Sequence, residues 1–363
     1  MSRQLRLLHG ESGLVEITSR TQHGRFLMRP SPGVNDLILG VLGKAQARYD
    51  VILHAFIFLS NHLHILATVL SPEQLSLFMA FFKGNLAKEL GRLYNWREKF
   101  WGRRYHSASV SGAEEVQIAR FLYILANGCK EGLVGSPLEW SGLSSTGALY
   151  RGEATMQGTW YDRTAQYRAA QRGKYQLFPS TETVHLSPLP FLNQRSVAEQ
   201  QKFVVASVRR IERETAQTHT TNGTKPLGAR AIQRQKPHDK PKAFKSSPAP
   251  LFHAANREEF WTMYNARQNK VAAYRVGAER LKRGELGVSF PPGCFPPRLP
   301  YVESRAPPSP PHVSRALRDR RRLYQERACR IRALDLGPTR RAPGDPLDRR
   351  HALHMARLGG ALS

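Results

Sequence analysis

Two apolar stretches separated by a polar pair restrict what this chain can fold into. Residues 51–59 are rich in β-branched and aromatic side chains, and residues 62–70 resume the apolar pattern after Ser60-Asn61. Such runs, joined by two turn-forming residues, predict a β-hairpin. Side chains alternate between the two faces of a strand. One face would therefore hold His62, His64 and Leu66, and the face that packs on helices would hold Leu63, Ile65 and Ala67.

The segments around this hairpin predict alternating strands and helices. Strands are predicted at 15–19 and 104–110, and helices at 33–49, from Ser71 to about Leu93, and from about Ser111 onward. The helices follow from apolar spacings of three and four, and Ser71-Pro72 is a typical helix start. The order β-α-β-β-α-β-α predicts an α+β fold, in which the first six elements form a ferredoxin-like split βαβ antiparallel sheet with helices on one face. The last helix can then cross the open face.

The formal charge of the 363-residue chain is +27. Residues 201–363 hold 33 Lys and Arg against 13 Asp and Glu, whereas residues 1–200 hold 22 against 15. This asymmetry is typical of a basic extension attached to a compact domain. A polyanionic partner is expected, and nucleic acid fits better than an anionic membrane because the basic region lacks a sustained amphipathic helix.

Cysteine usage and hydropathy indicate a reducing compartment. The three cysteines, Cys129, Cys294 and Cys329, are odd in number and widely spaced, so neither a disulfide framework nor a CxxC zinc ribbon is expected. The first 29 residues lack an apolar signal core, and the longest apolar runs are too short to span a bilayer. The sequence therefore predicts a cytoplasmic, nucleoid-associated protein with no membrane partner.

Shifts in composition divide the chain into five predicted segments. An N-terminal arm covers residues 1–13, a compact domain covers 14–175, and a helical extension covers 176–215. Residues 216–250 are rich in Lys, Arg, Pro and Thr, which predicts a flexible basic linker. Residues 251–363 form a basic, Pro- and Arg-rich C-terminal region, partly disordered, with one helix predicted at 257–283.

The predicted last helix of the domain carries a polar stripe. Tyr123 and Asn127 lie four residues apart and share this stripe with Arg120 and Lys130. Two histidines, an amide and a tyrosine hydroxyl are what metal-assisted phosphodiester cleavage by a protein nucleophile requires. Each group also has a structural reading: a hydrogen-bonded histidine pair, a half-buried tyrosine and an amide at a helix end. Taken one at a time, the structural readings are the commoner ones.

The motifs together resemble a known family. The run from His54 to Leu66, which contains His62-Leu63-His64, resembles the His-hydrophobic-His strand of single-tyrosine (HUH-type) transposases. Residues 103–105, 121–127 and 130–134 resemble the nucleophile helix of these enzymes and the segments beside it. The likeness covers roughly residues 14–150 and is strongest to the REP-associated tyrosine transposases. One departure is Asn127-Gly128-Cys129, where close members often have Asn-Pro-Val.

The resemblance implies a role for each matching residue. His62 and His64 would bind a divalent cation, Mg²⁺ or Mn²⁺, with Asn127 as the third ligand. Tyr123 would form a 5′-phosphotyrosine link to single-stranded or hairpin DNA, and the domain of residues 14–175 would be the catalytic domain of a transposase. Phosphate contacts are expected from Arg103, Arg104, Arg120 and Lys130.

Several alternatives stay open at the level of the sequence. Tyr105 is a rival nucleophile, although it lies in a predicted strand with no amide four residues later. A domesticated protein could keep the fold and bind hairpin nucleic acid without cutting it. A relaxase or replication-initiator-like nickase would share the histidine pair. The sequence does not distinguish a monomer from a homodimer.

Overall fold

The computed structural model describes residue 8 and residues 13–241, 249–292 and 294–297. The strands are β1 (Leu14–Arg20), β2 (Ile52–Phe58), β3 (His62–Thr68), β4 (His106–Val110), β5 (Thr155–Tyr161), β6 (Pro179–His185) and β7 (Phe252–His253). The helices are α1 (Pro32–Tyr49), α2 (Pro72–Leu93), α3 (Glu114–Leu125), α4 (Asn127–Lys130), α5 (Thr146–Arg151), α6 (Arg163–Ala170), α7 (Val197–Asn222), α8 (Ala229–Arg234) and α9 (Arg257–Lys282).

The main sheet has five strands in the order β2-β3-β1-β4-β7. Neighbouring strands are antiparallel, except that β7 runs parallel to β4. The order of the first four strands is that of a split βαβ unit. The predicted α+β class and the predicted succession of the first seven elements are therefore confirmed.

The two faces of the sheet pack into separate hydrophobic cores. The first core joins α1 and α2 to the face that carries Leu63, Ile65 and Ala67. The second core lies on the face that carries Leu66 and includes residues of α3 and α7. The side-chain alternation predicted for β3 is therefore present, and helices α1 and α2 share one face. Helix α3 crosses the other face, which brings its polar stripe over the histidines.

Both helices of the first core begin at a Ser-Pro pair. The Ser31 hydroxyl accepts a hydrogen bond from the backbone N–H of Val34 at 3.3 Å, and the Ser71 hydroxyl accepts one from that of Gln74 at 3.1 Å. A serine at this position satisfies an otherwise unpaired N–H, and proline fits the first helical residue because it has none to lose. Local sequence therefore sets where α1 and α2 start.

A second, two-stranded sheet was not predicted from the sequence. Strands β5 and β6 pair in an antiparallel manner over their full length and pack on α1. Both strands are mostly polar and partly exposed, so they lack the apolar alternation by which strands are detected. The predicted domain boundary at residue 175 falls between these paired strands, which means that the folded unit extends past it.

Helix α1 and strand β5 approach each other closely at Gly40. A Cβ atom at this position would lie 1.9 Å from the carbonyl oxygen of Thr159, so one backbone would have to move. We expect Gly40→Ala to destabilise the protein by roughly 1–3 kcal/mol or more, as overpacking does. Gly33→Ala is the matched control, because it lies on the same helix with no atom within 4 Å. Equal urea midpoints for the two variants would contradict the described packing.

The predicted flexible linker is partly structured. Helix α7 continues to Asn222, past the predicted end at residue 215, and stops at Gly223, whose φ of 59° is easy for glycine. Helix α8 follows within the predicted linker, and its Ile232 is fully buried. Residues 242–248 of the linker, most of the N-terminal arm and the Arg-rich stretch after residue 297 lie outside the described residues.

The helix predicted at 257–283 is confirmed as α9. In the part of the chain that the structure covers, no helix combines the length and apolar character needed to cross a membrane.

Candidate active site

Strand β3 presents His62 and His64 side by side. Their ring centroids are 5.4 Å apart, with the ring planes at 78°. They lie opposite Arg20 and Thr18 of β1, on the face that carries the second core. His64 is buried, with 7% of its surface exposed. The structure therefore brings the two predicted metal ligands together on the face that the sequence indicated.

Each histidine is held at its Nδ1 atom. His62 Nδ1–H donates to Asn61 Oδ1 at 2.6 Å, and the Asn61 amide is itself oriented by donating to the Gly24 carbonyl at 3.2 Å. His64 Nδ1–H donates to Glu16 Oε1 at 3.0 Å. A hydrogen bond at one ring nitrogen fixes the tautomer. Both imidazoles therefore keep Nε2 free to bind a cation.

His62 is held in its neutral form. Burial, together with the electrostatic influence of His64 and Arg20, lowers the pKa of His62 to about 3, and a hydrogen bond with Asn127 only partly opposes this. The neutral imidazole is the form that binds metals. The sequence could not reveal this shift, because it depends on contacts formed by folding.

The lowered pKa of His62 can be measured by NMR on the metal-free protein. We expect its imidazole to stay neutral at pH 5 and to protonate only near pH 3. In a peptide of residues 58–68, the same imidazole should titrate with a midpoint of about pH 6.5. Because the folded pKa is the lower one, the stability linked to this group is present above about pH 6.5 and is lost as the pH falls. A folded-state midpoint above pH 6 would contradict the buried, neutral assignment.

Asn127 is the first residue of α4, directly after the end of α3. It is 2% exposed, and its Oδ1 atom has no hydrogen-bond partner among the described residues. The side chain influences the charge of both His62 and Tyr123, so it lies between them. A buried acceptor without a donor is rare and calls for a ligand, water or ion. Asn127, the predicted third ligand, therefore lies beside both His62 and Tyr123.

The donor set fits a divalent cation. Two neutral imidazole nitrogens and one unpaired amide oxygen suit a small cation such as Mg²⁺ or Mn²⁺, provided that phosphate or water oxygens complete the shell. Within the described ranges, no group of three or more His, Cys, Asp and Glu side chains is placed to hold a metal. A cation at the histidine pair would therefore depend on Asn127.

Tyr123 packs against His64 and two cationic side chains. The ring centroids of Tyr123 and His64 are 5.3 Å apart. The Arg120 guanidinium and the Lys130 ammonium lie 4.9 Å and 4.5 Å from the Tyr123 centroid. Burial and the negative charges of Glu16 and Glu131 raise the pKa of Tyr123, while Arg120 and Asn127 lower it. The hydroxyl is thus in place but protonated, and its use as a nucleophile needs further positive charge.

Glu16 is a site residue that the sequence did not reveal. It is 4% exposed, and its Oε1 accepts from His64. Its Oε2 lies 3.0 Å from His253 Nε2 and 3.5 Å from Arg120 Nη1. Burial alone would raise the pKa of this carboxyl, but His253 and His64 hold it well below its usual range. A charged carboxylate therefore supports the histidine pair from β1.

The sequence held a signal for Glu16 but none for His253. Residues 15–19 alternate as a strand, and Glu16 is in phase with the open face that holds the histidines. The signal in the sequence was therefore a carboxylate predicted to lie on the same sheet face as the two histidines. His253 lies in a two-residue strand far along the chain, and such a pairing leaves no local pattern.

The predicted DNA-binding residues fall into two groups. Arg120 and Lys130 meet at the Tyr123 ring. Arg103 and Arg104 are exposed on the loop before β4. That loop is bound to the His62 end of β1, because Gly102 N–H donates to the Arg20 carbonyl at 3.0 Å. The structure brings the first pair into the site and leaves the second pair on a neighbouring loop.

The rival nucleophile Tyr105 lies elsewhere. It is 7% exposed and belongs to the first core, between the sheet and α1 and α2. Its hydroxyl is 3.4 Å from Ser76 Oγ on α2. Because the histidines lie on the opposite face, Tyr105 cannot share their site. Its aromatic ring is part of the packing instead.

Comparison with known proteins shows what part of this chain is similar to. Residues 21–124 match the family described as "Transposase IS200 like". A REP-associated tyrosine transposase bound to a REP hairpin is 16% identical, with 48% of this chain and 89% of that chain covered and a TM-score of 0.34. A candidate transposase from Deinococcus radiodurans R1 is also 16% identical, with 34% and 95% covered and a TM-score of 0.24. No curated protein matches the chain.

The matched segment contains both histidines and Tyr123, and it ends three residues before Asn127. Glu16 and His253 lie outside it. The match confirms the resemblance that the motifs carried: residues 21–124 are similar to IS200-like transposases.

Proposed function

We propose that this protein nicks and rejoins single-stranded DNA through a covalent tyrosine intermediate. The observation that carries the proposal is the contact of Tyr123 with His64, Arg120 and Lys130 on the sheet face that carries the histidines. A tyrosine hydroxyl, two imidazoles and two cationic side chains lie together there, which supports this reaction. Few other reactions use this combination.

In the first step, the Tyr123 oxygen attacks the phosphorus of a phosphodiester. The bond from phosphorus to the 3′ oxygen breaks, so a 5′-phosphotyrosine forms and the 3′ oxygen leaves with a proton. The tyrosine proton is lost in the same step. Because the phosphotyrosine keeps the energy of the broken bond, a DNA 3′-OH can attack it later and restore a phosphodiester without ATP.

The surrounding residues have separate tasks in this reaction. His62, His64 and Asn127 would hold a Mg²⁺ or Mn²⁺ ion, which supplies positive charge to the scissile phosphate and to the tyrosine oxygen. Arg120 favours the ionised form of Tyr123. Lys130, close to the same ring, is placed to bind a phosphate oxygen. Asn61 and Glu16 keep the two imidazoles in the orientation that leaves Nε2 free.

A hairpin with single-stranded flanks tests the proposal. The full-length protein is incubated with the labelled DNA and Mn²⁺, and the products are separated on a denaturing gel. We expect a band of protein covalently bound to DNA that is absent when EDTA is added first. Tight hairpin binding in a native gel without any adduct, at every pH and metal tested, would favour the binding-only alternative. Such a result would agree with the raised pKa of Tyr123, which keeps the hydroxyl protonated.

A further inference from the structure

His253, from the C-terminal part of the chain, contacts a residue of the site. His253 lies on β7 and is 13% exposed at its side chain, with its Nε2 atom 3.0 Å from Glu16 Oε2. β7 pairs with β4, and β4 pairs with β1, which carries Glu16. His253 is thus two strands away from Glu16 across the sheet and 237 positions away in sequence.

Strand β7 is held in place independently of Glu16. The backbone N–H of Ser111 donates to the His253 carbonyl at 2.8 Å. His106 Nε2 lies 2.8 Å from the Pro250 carbonyl, and the Ser111 hydroxyl donates to Glu259 at 2.7 Å. Phe252 is 5% exposed, and its ring packs near that of Phe260. Because these contacts already attach the segment to β4, the imidazole of His253 is not needed merely to anchor it.

The two oxygens of Glu16 contact different groups. Oε1 accepts from His64, and Oε2 faces His253 and Arg120. A carboxylate bound through only one oxygen can rotate about its last side-chain bond, and the direction of the hydrogen bond to His64 rotates with it. Contacts at both oxygens fix the carboxylate plane. The orientation of the His64 ring, and thus of its Nε2 atom, then depends in part on His253, which is the nearer of the two groups at Oε2.

We propose that His253 is a positioning residue that acts through Glu16 on His64, so that the C-terminal segment completes the metal site. The inference rests on the proposed function, since it assumes that His64 binds a metal. It adds a residue outside the matched transposase segment. Removing an outer-shell partner that orients a metal-binding histidine typically weakens metal affinity by about 10–100-fold.

The test measures Mn²⁺ affinity by EPR titration of the full-length protein without DNA. We expect His253→Leu to weaken Mn²⁺ binding by about tenfold, at the low end of that range. His106→Leu is the matched control, because it removes a contact of the same segment with Pro250 but leaves Glu16 untouched. We expect the control to keep wild-type Mn²⁺ affinity. His253→Gln, which can still donate to Glu16, should restore most of the loss.

The outcomes separate this inference from the proposed function. If His253→Leu binds Mn²⁺ as the wild type does, or if His106→Leu loses as much affinity, then His253 is only a tether and the inference is wrong. If the double variant His62→Ala with His64→Ala binds Mn²⁺ as the wild type does, the metal site itself is wrong. Should the leucine variant fail to fold, His253→Asn decides, because its shorter polar side chain does not reach Glu16 and should show the same tenfold loss.

Discussion

Replacing Tyr123 by phenylalanine is expected to abolish the covalent adduct with DNA while the protein stays folded. The ring contacts with His64, Arg120 and Lys130 do not need the hydroxyl, so the packing of α3 on the sheet should persist. The hydroxyl is the one group that can form the phosphotyrosine bond. Loss of a covalent nucleophile typically costs several powers of ten in rate, and we expect at least about a thousandfold here.

The measurement is the yield of adduct on a denaturing gel, with hairpin binding followed in parallel on a native gel. Tyr105→Phe is the control, since it removes a tyrosine hydroxyl from the opposite face of the sheet. We expect that variant to form adduct at the wild-type rate. Adduct that persists in Tyr123→Phe and disappears in Tyr105→Phe would reverse the assignment of the nucleophile.

The second large effect concerns the histidine pair. In the double variant His62→Ala with His64→Ala, we expect Mn²⁺-dependent cleavage to fall by at least about a hundredfold. Loss of an outer-shell partner already costs about 10–100-fold in metal affinity or activity, and loss of the ligands themselves should cost no less. Hairpin binding should fall much less, since Arg120 and Lys130 remain to contact phosphates. Cleavage rate against Mn²⁺ concentration gives the result, and raising the metal concentration should recover part of the activity.

His54→Gln separates the loss of metal from the loss of stability. His54 lies on the neighbouring strand β2 and is buried, with Nδ1 2.7 Å from the Pro188 carbonyl and Nε2 2.9 Å from Thr68 Oγ1. Its replacement should lower the urea midpoint without changing the Mn²⁺ dependence of cleavage. If the double alanine variant cleaves normally in the presence of EDTA, the reaction uses no metal at these histidines.

Most of the fold that positions the site was predictable because its signals are local. The apolar periods of α1, α2 and α3 and the Ser-Pro starts at Ser31 and Ser71 depend only on neighbouring residues. The alternation along β3 placed His62 and His64 on the open face, and the succession of elements placed α3 over them. Tyr105 could be set aside only once the structure showed that it packs in the first core, on the opposite side of the sheet from the histidines.

The remaining features could not be predicted because they depend on distant contacts. Strands β5 and β6 are polar, and their stability comes from pairing with each other and packing on α1. Residues 216–250 were predicted as a flexible linker from composition, yet Ile232 is buried in the second core. His253 reaches Glu16 only after the sheet has formed. Sequence patterns report a residue's neighbours along the chain, and these contacts are between residues far apart.

The contact between Glu16 and His253 also has a consequence for synthesis of the protein. A ribosome makes the strands and helices that carry Glu16, His64 and Tyr123 well before it reaches His253. At about 5–20 residues per second, the roughly 120 residues from Lys130 to His253 take on the order of 6–25 s. During that interval the nascent chain holds Tyr123 and both histidines, but the Glu16 carboxylate still has one oxygen without its imidazole partner.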